Sequence, residues 1–149
     1  MKIYKKLKIG IIGCGYWSTN LIKTFEDNGF RDIYIYDKSQ SQIKNIKSKF
    51  KFLKSYKSFE QIINLKLDAI FLITPSSTHY ELSKKILNKK NNLFLEKPGT
   101  LKYKHINELN KISVKKKLTF MVGYIYNFNV YIAYIKKLLA KQYIGKIQL

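Results

Sequence analysis

The chain has 149 residues, 46% of them apolar, and its 29 basic and nine acidic side chains give a formal charge of +20. That length suits one domain with a real core. No window approaches the ~20 apolar residues of a membrane span, and the early apolar run breaks at Gly10 and Gly13, too short for a secretory signal. Cys14 is the one cysteine, which excludes an internal disulfide and fits a cytoplasmic protein, and scattered lysines with Arg31 as the single arginine argue against specific nucleic-acid recognition.

In chain order, Leu7, Ile9, Ile11 and Ile12 predict a short apolar strand. Gly13-Cys14-Gly15-Tyr16-Trp17-Ser18 follows, then a helix beginning near Tyr16 and a second strand, Ile33 to Tyr36, ending in Asp37. Ser39 and Gln42 read as a capping box opening a helix through about Lys49, with a short strand at Phe50 to Leu53. Ser58 and Gln61 start a short helix reaching Asn64. Asp68 to Ile73 is a continuous apolar strand of the buried parallel type, ended by Thr74-Pro75. Thr78 with Glu81 opens a helix to about Lys89, and Asn92 to Leu95 is the next strand. Glu96-Lys97-Pro98-Gly99 breaks that strand, and Thr100 is expected to cap a helix through Lys115. Thr119 to Tyr124 gives a sixth strand, and Asn129 to Gln142 a last helix, amphipathic through Ile132, Ile135, Leu138 and Leu139. Residues 144–149 read as a turn entering one more strand. Alternating strands and helices of this kind specify an α/β fold, a doubly wound parallel sheet of Rossmann type.

The first β-α-β unit carries the chemistry. Gly13 allows a tight turn off the strand, and Gly15 lacks the Cβ that would keep a pyrophosphate away from the backbone. The helix starting at Tyr16 and Trp17 turns its free N–H groups and positive dipole end toward that anion. Asp37, 22 residues after Gly15, stands where a carboxylate accepts hydrogen bonds from a ribose diol. Such a carboxylate repels a 2′-phosphate and so favours NAD. Lys38 and Ser39, immediately after, could bind that phosphate, which leaves NADP open. The third glycine position holds Ser18, small enough for the helix to pack on the strand. Cys14 reads as a small turn filler, although a thiol near a helix N-terminus can have a lowered pKa. A Rossmann-like methyltransferase normally carries an acidic residue ahead of the first glycine, where this chain has Ile11 and Ile12.

Four segments together resemble the Gfo/Idh/MocA family of oxidoreductases: the Gly13-Cys14-Gly15-Tyr16-Trp17 turn, Thr74-Pro75-Ser76-Ser77-Thr78-His79, Glu96-Lys97-Pro98, and Gly123-Tyr124 with Phe128-Asn129. The Gly-Tyr-Trp variant looks most like members that oxidise nucleotide-linked sugars. The resemblance implies hydride transfer between a nicotinamide cofactor and a sugar or nucleotide-sugar carbon. It implies that Lys97 is the catalytic residue, bonding the reacting hydroxyl and helping to move its proton. It also implies that Thr74, Pro75, His79 and Glu96 belong to the cofactor side of the site, His79 by hydrogen bonding and packing under the loop. His105 reads as surface.

The family normally continues into an α+β domain holding the substrate pocket, which is absent from this chain. Residues 1–143 therefore read as the dinucleotide-binding domain and 144–149 as the start of a substrate domain, so a separate C-terminal domain chain or a homo-oligomer is an expected partner. Asn127 and Val130 stand where many relatives have arginine and proline. The alternative reading is a non-catalytic dinucleotide-binding module or a truncated remnant.

Overall fold

The computed structural model describes residues 6–143 and 145. Among them, β1 (Ile9–Ile12), β2 (Ile33–Tyr36), β3 (Lys54–Ser55), β4 (Ala69–Leu72), β5 (Leu93–Leu95) and β6 (Phe120–Val122) form one sheet in the order β3-β2-β1-β4-β5-β6. Every neighbouring pair is parallel. β1 lies at the centre, with Ile9 opposite Ile33 on one side and Ala69 on the other. The strand order reverses between β1 and β4, which opens a crevice at their carboxyl ends.

The helices are α1 (Tyr16–Asp27), α2 (Gln40–Lys49), α3 (Phe59–Ile63), α4 (Ser76–Asn88), α5 (Tyr103–Lys115) and α6 (Val130–Ala140), with a 3-10 turn at Ile125–Phe128. Side chains alternate along each strand, so the sheet supports two separate cores. On one face Ile9, Ile11, Ile33 and Ile35 meet Ile22 of α1 and Ile43 and Ile46 of α2. On the other, Ile12, Ile70, Leu72, Leu93 and Leu95 meet Ile62 of α3, Ile86 and Leu87 of α4, and Leu109 of α5. Burying each such side chain contributes roughly 1.5–3 kcal/mol.

Boundaries differ from the sequence expectations where side-chain packing or a local hydrogen bond wins. The expected strand Phe50 to Leu53 is loop. Its aromatic pair packs edge to face at 6.2 Å, Leu53 is buried, and the ladder to β2 forms only at Lys54 and Ser55. Ser39 and Ser58 do cap α2 and α3, accepting from the N–H groups of Gln42 and Gln61. α4 begins at Ser76, ahead of the expected Thr78 cap, because the Thr78 hydroxyl is spent inside the turn, within 2.7 Å of both Thr74 Oγ1 and the Pro75 carbonyl. Thr100 likewise donates to the Lys102 carbonyl, and α5 starts only at Tyr103.

The last helix starts as expected, Asn129 accepting from the N–H groups of Tyr131 and Ile132. Its apolar face is nevertheless only half covered: Ile132, Leu138 and Leu139 are half-buried, Ile135 is exposed, and α6 has no fully buried side chain. The strand expected after residue 144 lies outside the described residues. No helix among them is long and apolar enough to cross a membrane.

α4 and α5 are joined at the surface by a polar cluster. Tyr80 stacks on His105 at 3.8 Å and donates to Glu108 at 2.6 Å, while Lys84 pairs with Glu108 at 2.7 Å. The Lys84 hydrogen bond first, and the Tyr80 hydroxyl second, hold the Glu108 carboxyl below the usual carboxylate range. This contact therefore stabilises the fold above the pH where an unfolded glutamate titrates, and is lost as pH falls through the lower folded value. Thermal melts from pH ~6 down to pH ~3 should show a smaller acid-side fall in Tm for Glu108→Gln than for the native chain. Identical falls would show that the cluster adds nothing.

Candidate functional site

The crevice is built by the loop between β1 and α1. Gly13 has φ +101°, and a Cβ there would stand 2.5 Å from the Ile73 carbonyl oxygen, so only glycine lets this loop pass against the end of β4. Its N–H donates to the Tyr36 carbonyl at 2.9 Å, while the Ile73 N–H donates to the Ile12 carbonyl at 2.8 Å. The loop is thus stitched to both neighbouring strands.

Gly15 is the opposite case. Its φ is an ordinary −78°, and an added Cβ would meet nothing within 4 Å. The space above it is open, and side chain is what would fill it. Gly15 is also the N-cap of α1, with no side chain satisfying the first N–H groups and no acidic residue in the first turn. Those donors and the helix dipole stand at the open space over Gly15, the kind of helix end that attracts an anion. Ser18, in the third glycine position, is wholly buried and donates to the Gly15 carbonyl. Serine therefore packs there and braces the loop from behind.

Asp37 closes the other side. Its Oδ2 accepts from the Cys14 N–H at 2.7 Å and its Oδ1 from the Ser39 N–H at 2.8 Å. Two backbone donors fix the carboxylate, and each oxygen retains capacity for a further hydrogen bond. Cys14 itself turns into the core beside Ile9, Ile11 and Ile22. Burial first, and the Asp37 charge second, push its thiol up to about 12, so the lowered value a helix N-terminus can produce does not arise.

These features share one cleft of about 660 Å³. Gly13, Gly15, Asp37, Lys38, Thr74 and Pro75 line it, together with residues that the sequence did not place in the site. Tyr36, Phe59, Ile73 and Leu82 form apolar walls, and Gln42, Ser77 and Glu81 add polar groups. Phe59 reaches the cleft from α3, and no local sequence signal marks that approach.

Five expected site residues stand outside this cleft. Tyr16 and Trp17 are exposed on the first turn of α1. Glu96 and Lys97 follow β5, where the Glu96 N–H extends the ladder to the Leu72 carbonyl at 2.9 Å. Glu96 leans toward β6, its Oε2 3.3 Å from where a Gly123 Cβ would be, and Lys97 is exposed before a cis bond to Pro98. His79 is buried behind the wall. Its Nδ1 lies 2.9 Å from the Pro98 carbonyl and its Nε2 2.7 Å from that of Thr74. The ring is thus enclosed by carbonyls beneath the loop and does not line the cleft. Among the described residues no cluster of His, Cys, Asp and Glu could hold a metal ion.

A twisted parallel sheet with an open glycine cradle, a free helix N-terminus and a fixed carboxylate at the next strand defines a Rossmann-type NAD(P)-binding domain. Comparison with known proteins gives the family. The chain belongs to the Gfo/Idh/MocA oxidoreductase family, matching the model described as "Oxidoreductase family, NAD-binding Rossmann fold" over residues 7–124.

It is 28% identical over 144 residues to a 2,7-anhydro-N-acetylneuraminate hydratase of Escherichia coli (strain K12), covering 95% of this chain and 38% of that protein. The chain thus spans under two fifths of the length of that curated relative. Among solved structures, myo-inositol 2-dehydrogenase from Lactobacillus plantarum superposes with a TM-score of 0.80 at 24% identity, covering 95% of this chain and 43% of the other. GenD2 from gentamicin A biosynthesis, in complex with NAD, superposes with a TM-score of 0.82 at 13% identity, covering 95% and 41%. At those identities the superpositions establish the fold.

The two glycines separate by experiment. Gly13→Ala should cost about 2–4 kcal/mol in chemical denaturation, because it combines backbone strain with a steric clash. Gly15→Val should stay within about 1 kcal/mol of the native chain and lose NADH binding by calorimetry. Native-like NADH affinity in Gly15→Val would remove the anion cradle.

Proposed function

We propose that this chain is the cofactor-binding part of an NAD(P)-dependent oxidoreductase that moves a hydride between nicotinamide and a CH–OH carbon of a sugar or nucleotide sugar. The observation that carries the reading is the open cradle over Gly15 beside the backbone-held Asp37 carboxylate. Loop N–H groups and the α1 terminus would bind the pyrophosphate, and Asp37 the adenosine ribose. Asp37 also supports NAD over NADP, because its fixed charge opposes a 2′-phosphate.

The Thr74-Pro75 wall at the end of β4 would flank the nicotinamide half, with Glu96 and Lys97 alongside on the end of β5. When bound, the nicotinamide ring supplies the hydride acceptor or donor. Lys97 would bond the reacting hydroxyl and hold or pass its proton at Nζ. The relative's substrate is an anhydro sugar acid, and the +20 charge of this chain would draw in an acidic or phosphorylated sugar.

A substrate domain, continuous with this chain or supplied separately, would complete the site. Supporting that is the uncovered face of the 3-10 turn and α6, where Tyr126, Phe128 and Tyr131 are 69%, 72% and 76% exposed. Patches of that kind mark interfaces. No acidic residue follows Glu108, and Lys136 and Lys137 lie on α6 with Lys141 directly after it, so a partner surface that is apolar with an acidic rim fits this face better than a second copy of the same basic chain.

Calorimetry with NAD and NADP tests the cofactor half of the reading. Asp37→Ala should weaken NAD about tenfold, some 1.4 kcal/mol, and NADP less. Equal losses would mean that Asp37 does not touch the ribose. For the chemistry, sugar-dependent reduction of NAD should appear only with the substrate domain present, and Lys97→Ala should abolish turnover while leaving NAD affinity within about twofold. Binding without turnover against any sugar would favour a non-catalytic dinucleotide module.

A further inference from the structure

Beside the cleft, His79 is a buried imidazole for which the resemblance implies hydrogen bonding and packing under the loop but names no partners. It sits in the first turns of α4 with 1% of its surface exposed. Its Nδ1 faces two carbonyl oxygens, Pro98 at 2.9 Å and Gly99 at 3.2 Å, and its Nε2 faces a third, Thr74 at 2.7 Å. Carbonyl oxygens only accept. A neutral imidazole has one N–H, so one ring nitrogen would then press a lone pair against a carbonyl lone pair, buried from water. Hydrogens on both nitrogens remove that conflict and satisfy all three acceptors.

We propose that His79 carries a hydrogen on each ring nitrogen and acts as a two-ended clamp, a positioning residue that sets the spacing between the β4–α4 loop and the β5–α5 loop. One end holds Thr74, which lines the cofactor cleft. The other holds the two residues directly after Lys97. Thr74 and Lys97 belong to different strands, and β4 and β5 pair only as far as Leu72 and Leu95. Beyond that register the ladder adds the Glu96 N–H bond to Leu72, and the loops past it are tied through the imidazole.

The charge this requires lies near the α4 N-terminus, whose dipole opposes it. Three converging carbonyl dipoles offset that cost, and the ring makes no hydrogen bond to a carboxylate. Thr78, one residue away, cannot replace the clamp, because its hydroxyl bonds Thr74 Oγ1 and the Pro75 carbonyl within its own loop.

The clamp goes beyond the cofactor reading and rests on it only for its consequence. Its first test needs no ligand. The chain has two histidines, so His105→Gln in a nitrogen-15-labelled sample leaves a single imidazole. At pH ~7 both of its ring nitrogens should resonate together, each with an attached hydrogen. A widely split pair, one nitrogen bare, overturns the clamp.

The second test compares NADH with ADP-ribose, which lacks the nicotinamide end. His79→Gln can reach one loop but not both. It should weaken NADH roughly tenfold and leave ADP-ribose within about twofold. Equal losses for both ligands would indicate a general structural role and overturn the positioning claim, as would no loss for either. If the native chain binds neither ligand, the cofactor reading fails, and the nitrogen spectrum still decides the clamp.

Discussion

The whole site depends on how the loop after β1 is held. The Gly13 N–H bonds the end of β2, the Cys14 N–H bonds Asp37 just beyond it, and the Ile73 N–H beyond β4 bonds back to β1. The central strand therefore delivers its loop into a slot whose two sides are fixed by its own sheet neighbours. That slot exists because strand order reverses at β1, sending α1 and α4 to opposite faces and leaving a gap between their N-termini. Glycine is required in different senses at the two positions. At Gly13 the backbone conformation and the Ile73 carbonyl exclude a side chain, whereas at Gly15 the protein leaves room and a ligand would take it.

Asp37 links stability to recognition. Its carboxylate satisfies two buried or half-buried backbone donors, so the group that would read a ribose is the group that ties β2 to the glycine loop. A carboxylate fixed from behind loses little entropy when a ligand arrives, which is preorganisation in a simple form. The same charge, together with burial, keeps Cys14 protonated, so the chain's one thiol is inert packing.

The molecule is also asymmetric in how well it covers its apolar surface. The first five helices each close over a sheet face, while α6 and the 3-10 turn before it present aromatic side chains outward. Apolar periodicity in α6 announces a buried face, and the described domain covers it only in part, leaving Ile132, Leu138 and Leu139 half-buried and Ile135 exposed. The lysines around that face and the lack of acidic residues after Glu108 give the uncovered surface one sign of charge. A surface that is both apolar and electropositive would select any partner by desolvation and by charge together.

Much was legible without the fold. The β-α-β order, the two glycines, Asp37, and the caps at Ser39, Ser58 and Asn129 follow from local rules, because backbone conformation and short-range hydrogen bonds are set by the residue and its near neighbours. Local rules erred at Phe50 to Leu53, Thr78 and Thr100, where burial or a competing hydroxyl contact chose a different boundary. The sequence by itself determined the sheet type, the glycine turn after the first strand and the acidic residue at the end of the second strand. Only tertiary structure decided that Phe59 and Leu82 wall the cleft, that Cys14 faces the core, and that His79 joins two loops from beneath. Those outcomes depend on contacts between segments tens of residues apart, whose geometry arises from packing the helices on the sheet and leaves no trace in any short stretch of chain.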